Sequence, residues 1–117
     1  MSQGYTKMRY SGRAYNIVTS KTTTLQYPNL CWMNIGIEKL ASPLLDGGKY
    51  YFYCNIGGVE YFYSCEIEKL RAFCKKCNDM RTGTPRYTFF IDYVAGELRV
   101  NPGDANESLR LVKSGWL

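Results

Sequence analysis

The chain has 117 residues, 45 % of them hydrophobic, and a formal net charge of +5 from 15 Lys and Arg against 10 Asp and Glu. That length fits a single domain, residues 1–117, with apolar content enough for a core of its own. No apolar run approaches the ~20 residues of a membrane-spanning helix, and the absence of histidine removes the usual general base near neutral pH and His-metal sites.

The opening residues, Met1 to Lys7, show no apolar signal-peptide stretch. The five cysteines are an odd number, which fits reduced thiols better than a disulfide framework. Together these features predict a soluble, cytoplasmic protein that makes no membrane contact.

In chain order, residues 8–19 read as extended with a break at Ser11-Gly12, and residues 22–29 as loop. Leu30 to Glu38 alternates, placing Cys31, Met33, Ile35 and Ile37 on one side, so it reads as a strand. Residues 41–48 turn back through Pro43 and Gly47-Gly48. No internal repeat is expected.

The strongest local signal spans residues 48–65. Two aromatic-rich runs are joined by Gly57-Gly58, and a two-residue hairpin loop needs the positive φ that glycine supplies. This loop sets Ile56 opposite Val59, Cys54 opposite Tyr61 and Phe52 opposite Tyr63. Alternation then puts Tyr50, Phe52, Cys54, Ile56, Val59, Tyr61, Tyr63 and Cys65 on one face. The other face carries Lys49, Tyr51, Tyr53, Asn55, Glu60, Phe62 and Ser64. The first is the expected core face; the second turns three rings, Tyr51, Tyr53 and Phe62, outward.

A helix over about 66–80 follows, with Ser64 as N-cap and Ile67, Leu70, Cys74 and Cys77 at three- and four-residue spacing. Thr82-Gly83-Thr84-Pro85 ends it. A second hairpin is predicted with Ala95-Gly96 as its loop. That register sets Tyr93 against Leu98, Ile91 against Val100 and Asp92 against Arg99. Residues 109–113 read as a short last strand, and Trp116-Leu117 as a plug on the core or, alternatively, an exposed anchor for a partner. The fold class is therefore α+β: an antiparallel, strongly curved sheet with one helix on its apolar face. An OB-like barrel is one arrangement that fits this order.

The sequence contains no phosphate-binding Gly-rich loop and no nucleophile elbow. A non-enzymatic binding protein without cofactor is the expectation. Cations cluster between Lys69 and Arg86, where Lys69, Arg71, Lys75, Lys76, Arg81 and Arg86 face only Asp79. The first 27 residues hold Lys7, Arg9, Arg13 and Lys21 and no acid. Such clusters suit an anionic partner. Aromatics on a sheet face beside cations are how proteins stack single-stranded bases while holding phosphates. The predicted nucleic-acid-binding residues are Tyr51, Tyr53, Phe62, Lys49, Lys69, Arg71, Lys75, Lys76, Arg81 and Arg86.

Two other readings compete. Small one-domain proteins without catalytic residues also act by occupying a larger protein or ribonucleoprotein, as phage-encoded anti-CRISPR inhibitors do; this is an analogy of type, with no matched residues. A small-ligand or zinc-binding protein is the third. Its candidate ligands are Cys74 and Cys77, joined by Cys31, although buried thiols at these positions are adequately explained by core packing.

Overall fold

The structure, a computed structural model, describes residues 14–18, 29–80, 83, 85–102 and 107–113. The basic N-terminal cluster, most of the 22–29 loop, Arg81 and Trp116-Leu117 lie outside the described residues. The fold is α+β. Among the described residues the strands are β1 (Ala14–Val18), β2 (Leu30–Gly36), β3 (Lys49–Ile56), β4 (Val59–Glu66), β5 (Asn78–Met80), β6 (Arg86–Asp92), β7 (Glu97–Arg99), β8 (Ser108–Arg110) and β9 (Val112–Lys113). The helices are α1 (Ile37–Ala41) and α2 (Ile67–Cys74), with a 3₁₀ turn at Pro43–Leu45.

The strands form two sheets rather than the one expected. The first has the order β1-β3-β4-β9; the second runs β2-β6-β7-β8, with β5 also paired to β6. The sheets are mostly antiparallel, but β1 lies parallel to β3. A parallel neighbour arrives only through a long crossover, so no local pattern in the chain announces it. Among the described residues the sheets are not closed into a barrel. They are joined on one side by the chain itself, because residues 108–110 pair with β7 and residues 112–113 pair with β4. On the other side Asn16 of β1 links them: its Nδ2 donates to the Asn34 carbonyl of β2 at 2.9 Å, and its Oδ1 accepts from the Tyr50 hydroxyl.

The Gly57-Gly58 hairpin has the predicted register, with Ile56 opposite Val59 and Phe52 opposite Tyr63. Both glycines have positive φ, 61° and 86°, as the two-residue loop demands. Its core face is the predicted one: Tyr50, Phe52, Cys54, Tyr63 and Cys65 are buried. They meet Cys31, Met33 and Ile35 of β2, Phe89 and Ile91 of β6, and Ile67, Leu70 and Phe73 of α2 in one core. Phe73 and Phe89 pack edge to face with centroids 5.6 Å apart, the arrangement an aromatic quadrupole favours.

The second hairpin differs from the expectation. Its register sets Asp92 opposite Glu97 and Ile91 opposite Leu98, a slip of two residues that preserves which side chains face the core. The reason is Asp92. Its Oδ1 accepts from the amides of Val94 and Ala95, at 3.0 and 2.8 Å, and its carbonyl accepts from Gly96 at 2.8 Å. Those bonds widen the loop to residues 93–96. Arg99 pairs principally with Glu97 at 2.7 Å and reaches Asp92 only at 4.0 Å.

Helix α2 is shorter than the periodicity predicts, ending at Cys74 and not near residue 80. Amides 76 and 77 bond three residues back, to the carbonyls of Phe73 and Cys74, which tightens the last turn. Residues 78–80 then pair with β6. Ser64 is a buried strand residue, not the N-cap; the N-cap is Glu66, and no side chain caps it.

A local repeat is present, contrary to expectation. Ile37-Glu38-Lys39-Leu40 recurs 30 positions later as Ile67-Glu68-Lys69-Leu70. Each copy opens a helix directly after a strand, at the β2–α1 and β4–α2 junctions. Neither helix has a side-chain cap. Instead each first amide finds a carbonyl from elsewhere: Ile37 donates to Pro85 at 3.1 Å and Ile67 to Gly48 at 3.0 Å. Leu40, Ile67 and Leu70 anchor these turns in the core.

Candidate nucleic-acid interface

The outer face of the first sheet can be read row by row from the strand register. Lys49 and Glu66 are opposite one another at one end. Next comes the row Tyr51, Ser64 and Val112. The following row holds Ile17, Tyr53 and Phe62. Asn55 and Glu60 close the far end. Successive rows are two residues apart along the strand, roughly 6.6 Å at ~3.3 Å per residue.

Three outward rings were expected, and this face does carry them, but not equally exposed. Tyr51 and Phe62 are half-buried, whereas Tyr53 is only 7 % exposed. Tyr53 is flanked by Ile17 on β1 and by Phe62 on β4, whose ring stacks on it with centroids 5.1 Å apart and planes 21° apart. Its hydroxyl donates to Glu60 Oε2 at 2.6 Å and accepts from Asn55 Nδ2 at 3.0 Å. Tyr53 is therefore structural, and among the described residues the rings with accessible surface on this face are Tyr51 and Phe62. The stacked Phe62 ring and the hydroxyl bonds to Glu60 and Asn55 hold Tyr53 against the sheet.

At the Lys49 end a cavity of about 270 Å³ opens, lined by Lys49, Ser64, Cys65, Glu66, Lys69, Arg110 and Val112. It brings together two of the predicted phosphate contacts, Lys49 and Lys69, and adds Arg110, which sequence reasoning missed. Arg110 sits on β8 just before the chain passes from one sheet to the other. Lys69 Nζ is 3.6 Å from Glu66 Oε1, and both side chains are about two-thirds exposed, at 67 % and 64 %. Such a pair is weak and readily exchanged. Lys49 and Arg110 make no ion pair with a described side chain.

The other predicted cations do not join them. Arg71 is a structural clamp. Its Nε and Nη2 donate to the carbonyls of Leu40 and Ser42 at 2.9 and 3.0 Å, and Nη1 reaches Asp46 and Glu68 at 2.8 and 3.0 Å. The Asp46 hydrogen bond is the main cause of its raised pKa. Lys75 lies with Arg71 beside a different, largely apolar cavity of about 190 Å³, lined also by Ile37, Leu40, Ala41 and Tyr87. Lys76 pairs with Glu107 at 3.3 Å. Arg86 is half-buried in β6, between β2 and β5. Arg81 lies outside the described residues.

The cysteines are core residues first. Cys31, Cys54, Cys65 and Cys74 are buried, and Cys77 is half-buried with its thiol donating to the Phe73 carbonyl at 3.5 Å. Burial pushes the Cys54 and Cys65 thiols up to about 12. Cys74 is also raised, chiefly by its hydrogen bond with Cys77. Cys74 and Cys77 are thus neighbours, but Cys31 does not join them. Among the described residues no three Cys, Asp or Glu side chains gather to hold a metal. Among the same residues no helix is long and apolar enough to cross a membrane.

No protein-family model, curated protein or solved structure matches this chain.

Proposed function

We propose that this protein is a non-enzymatic module that binds single-stranded nucleic acid along the outer face of its first sheet. The observation that carries the reading is the cationic cavity of Lys49, Lys69 and Arg110 at the end of that face, which is lined also by Ser64 and Val112 of the row that holds the half-buried Tyr51. A strand laid along the face would place phosphates at the cations and bases against Tyr51 and Phe62. Bases inside a duplex are already stacked on one another, so such rings favour unpaired strands. The non-enzymatic part of the reading is supported by the lack of histidine and by thiols that burial keeps protonated at neutral pH.

The test is a titration of labelled single-stranded DNA and RNA, followed by fluorescence anisotropy at two salt concentrations. Binding should weaken steeply with salt, because phosphate contacts release counterions. No binding at low salt overturns the reading. Retention of a larger protein or ribonucleoprotein from nuclease-treated lysate, without affinity for free strands, would favour the inhibitor reading instead.

A further inference from the structure

The cavity beside Lys49 has a charge and a size that narrow its ligand. Its cations come from three separate elements: Lys49 opens β3, Lys69 lies in the first turn of α2, and Arg110 closes β8. One carboxylate, Glu66, shares the lining, so the formal charge is +2. An internal phosphodiester carries a single negative charge. A phosphomonoester carries about −1.5 to −2 at neutral pH, with a second pKa near 6, and offers three strong acceptor oxygens. The monoester is the better match in charge, and its three oxygens suit three donors.

Size points the same way. At about 270 Å³ the cavity is slightly smaller than the ~300–1,000 Å³ sites that engulf a small molecule. It fits the end of a ligand. The lining adds Ser64 and Glu66, the N-cap of α2, which makes no side-chain capping hydrogen bond. The positive end of a helix adds modestly to anion affinity.

We infer that this cavity is a phosphomonoester site and, resting on the nucleic-acid reading, that it holds the terminal phosphate of a bound strand. Lys49 and Arg110 supply the two cations that no described acid engages. Lys69 exchanges its exposed partner Glu66 for the ligand. Tyr51, in the same row as the cavity-lining Ser64 and Val112, then faces the terminal nucleotide.

The experiment compares one short strand in three forms, with a 5′-phosphate, a 3′-phosphate or neither, each labelled away from the tested end. A phosphorylated form should bind about tenfold more tightly, since a charge-assisted contact of this kind is worth that factor or more. The gain should disappear in Lys49→Ala/Arg110→Ala, should partly survive in Arg110→Lys, and should fade as pH drops below about 6 and the monoester takes up its second proton. Glu66→Gln should increase it severalfold by releasing Lys69. Equal affinity for all three forms overturns the inference and leaves single-strand binding standing. If no strand binds, NMR titration with inorganic phosphate and a nucleoside monophosphate decides. Shifts centred on Lys49, residues 64–69 and Arg110 uphold a site for small phosphomonoesters although strand binding has failed, and shifts elsewhere or none overturn it.

Discussion

The ring of Tyr63 lies so close to Gly96 that a Cβ built on the glycine would stand 2.8 Å from Cε1. Tyr63 belongs to β4 in the first sheet, and Gly96 to the loop between β6 and β7 in the second. The Tyr63 hydroxyl donates to the carbonyl of Tyr93 in that loop at 2.7 Å, and Gly96 in turn accepts from the Leu111 amide at 2.8 Å. This contact seats the second hairpin on the first sheet just where the chain passes between them.

Gly96 therefore has two reasons to be glycine, a φ of 73° and the absence of room. Gly96→Ala should destabilise the fold by about 2–4 kcal/mol, combining left-handed strain with overpacking. Gly57→Ala is the control, because Gly57 has a φ of 61° but nothing within 4 Å of its Cβ position. It should cost only about 1 kcal/mol. Urea denaturation of both variants measures the difference, and equal losses would remove the steric part of the argument.

Tyr63→Phe keeps the ring and deletes only the donor to the Tyr93 carbonyl. The carbonyl is left without that partner in a buried position, which costs about 1–3 kcal/mol. The variant should retain the native circular dichroism spectrum and unfold at lower urea. An unchanged midpoint would show that water replaces the hydroxyl.

Arg71 was expected among the phosphate contacts, yet its guanidinium ties α2 to the carbonyls of Leu40 and Ser42. Its partners Asp46 and Glu68 are mostly exposed, at 61 % and 67 %, so the ion pairs add little and the carbonyl bonds carry the effect. Arg71→Met should lower the urea midpoint, because the carbonyls of Leu40 and Ser42 lose their donor. It should leave the salt dependence of strand binding unchanged, whereas each true phosphate contact removed lowers the slope by about one. A lowered slope would return Arg71 to the interface.

The buried thiols make the fold sensitive to base. Burial is the main cause raising Cys54 and Cys65 from an ordinary 9.0 to about 12; the nearby Cys31 adds to the first, while Lys69 opposes and Glu66 adds for the second. In the unfolded chain these thiols ionise near 9, while in the fold they keep their protons to about 12. The folded state thus binds more protons throughout that window. Its stability is fully present below pH 9 and declines as pH rises, by about 1.4 kcal/mol per pH unit for each thiol. Tyr63 and Tyr93, also raised by burial, act in the same direction. Urea midpoints at several pH values should fall less steeply for Cys54→Ala than for the native chain. Parallel curves would show that Cys54 ionises freely in the fold.

Local features were legible in the residues alone. Gly57-Gly58 dictated a hairpin and its register, because the short loop needs positive φ at both positions and alternation then assigns every side chain to a face. The Ile-Glu-Lys-Leu repeat is equally visible in the residues, but only the fold gives it meaning, as the start of two equivalent strand-to-helix junctions. Helix periodicity located α2 and overran its end, since pairing of residues 78–80 with β6 competes with the last helical turn.

Which distant segments meet was settled by long-range packing. The parallel docking of β1 on β3 makes Tyr53 an interior position of a four-stranded sheet, and the passage of residues 108–113 between the sheets brings Arg110 to Lys49 and Lys69. Neither relation leaves a trace in local periodicity, because both depend on contacts between residues far apart in the chain. The faces of the central hairpin and the surplus of positive charge are written in the order of the residues. The tertiary structure selected which cations share a cavity and which rings remain accessible beside it.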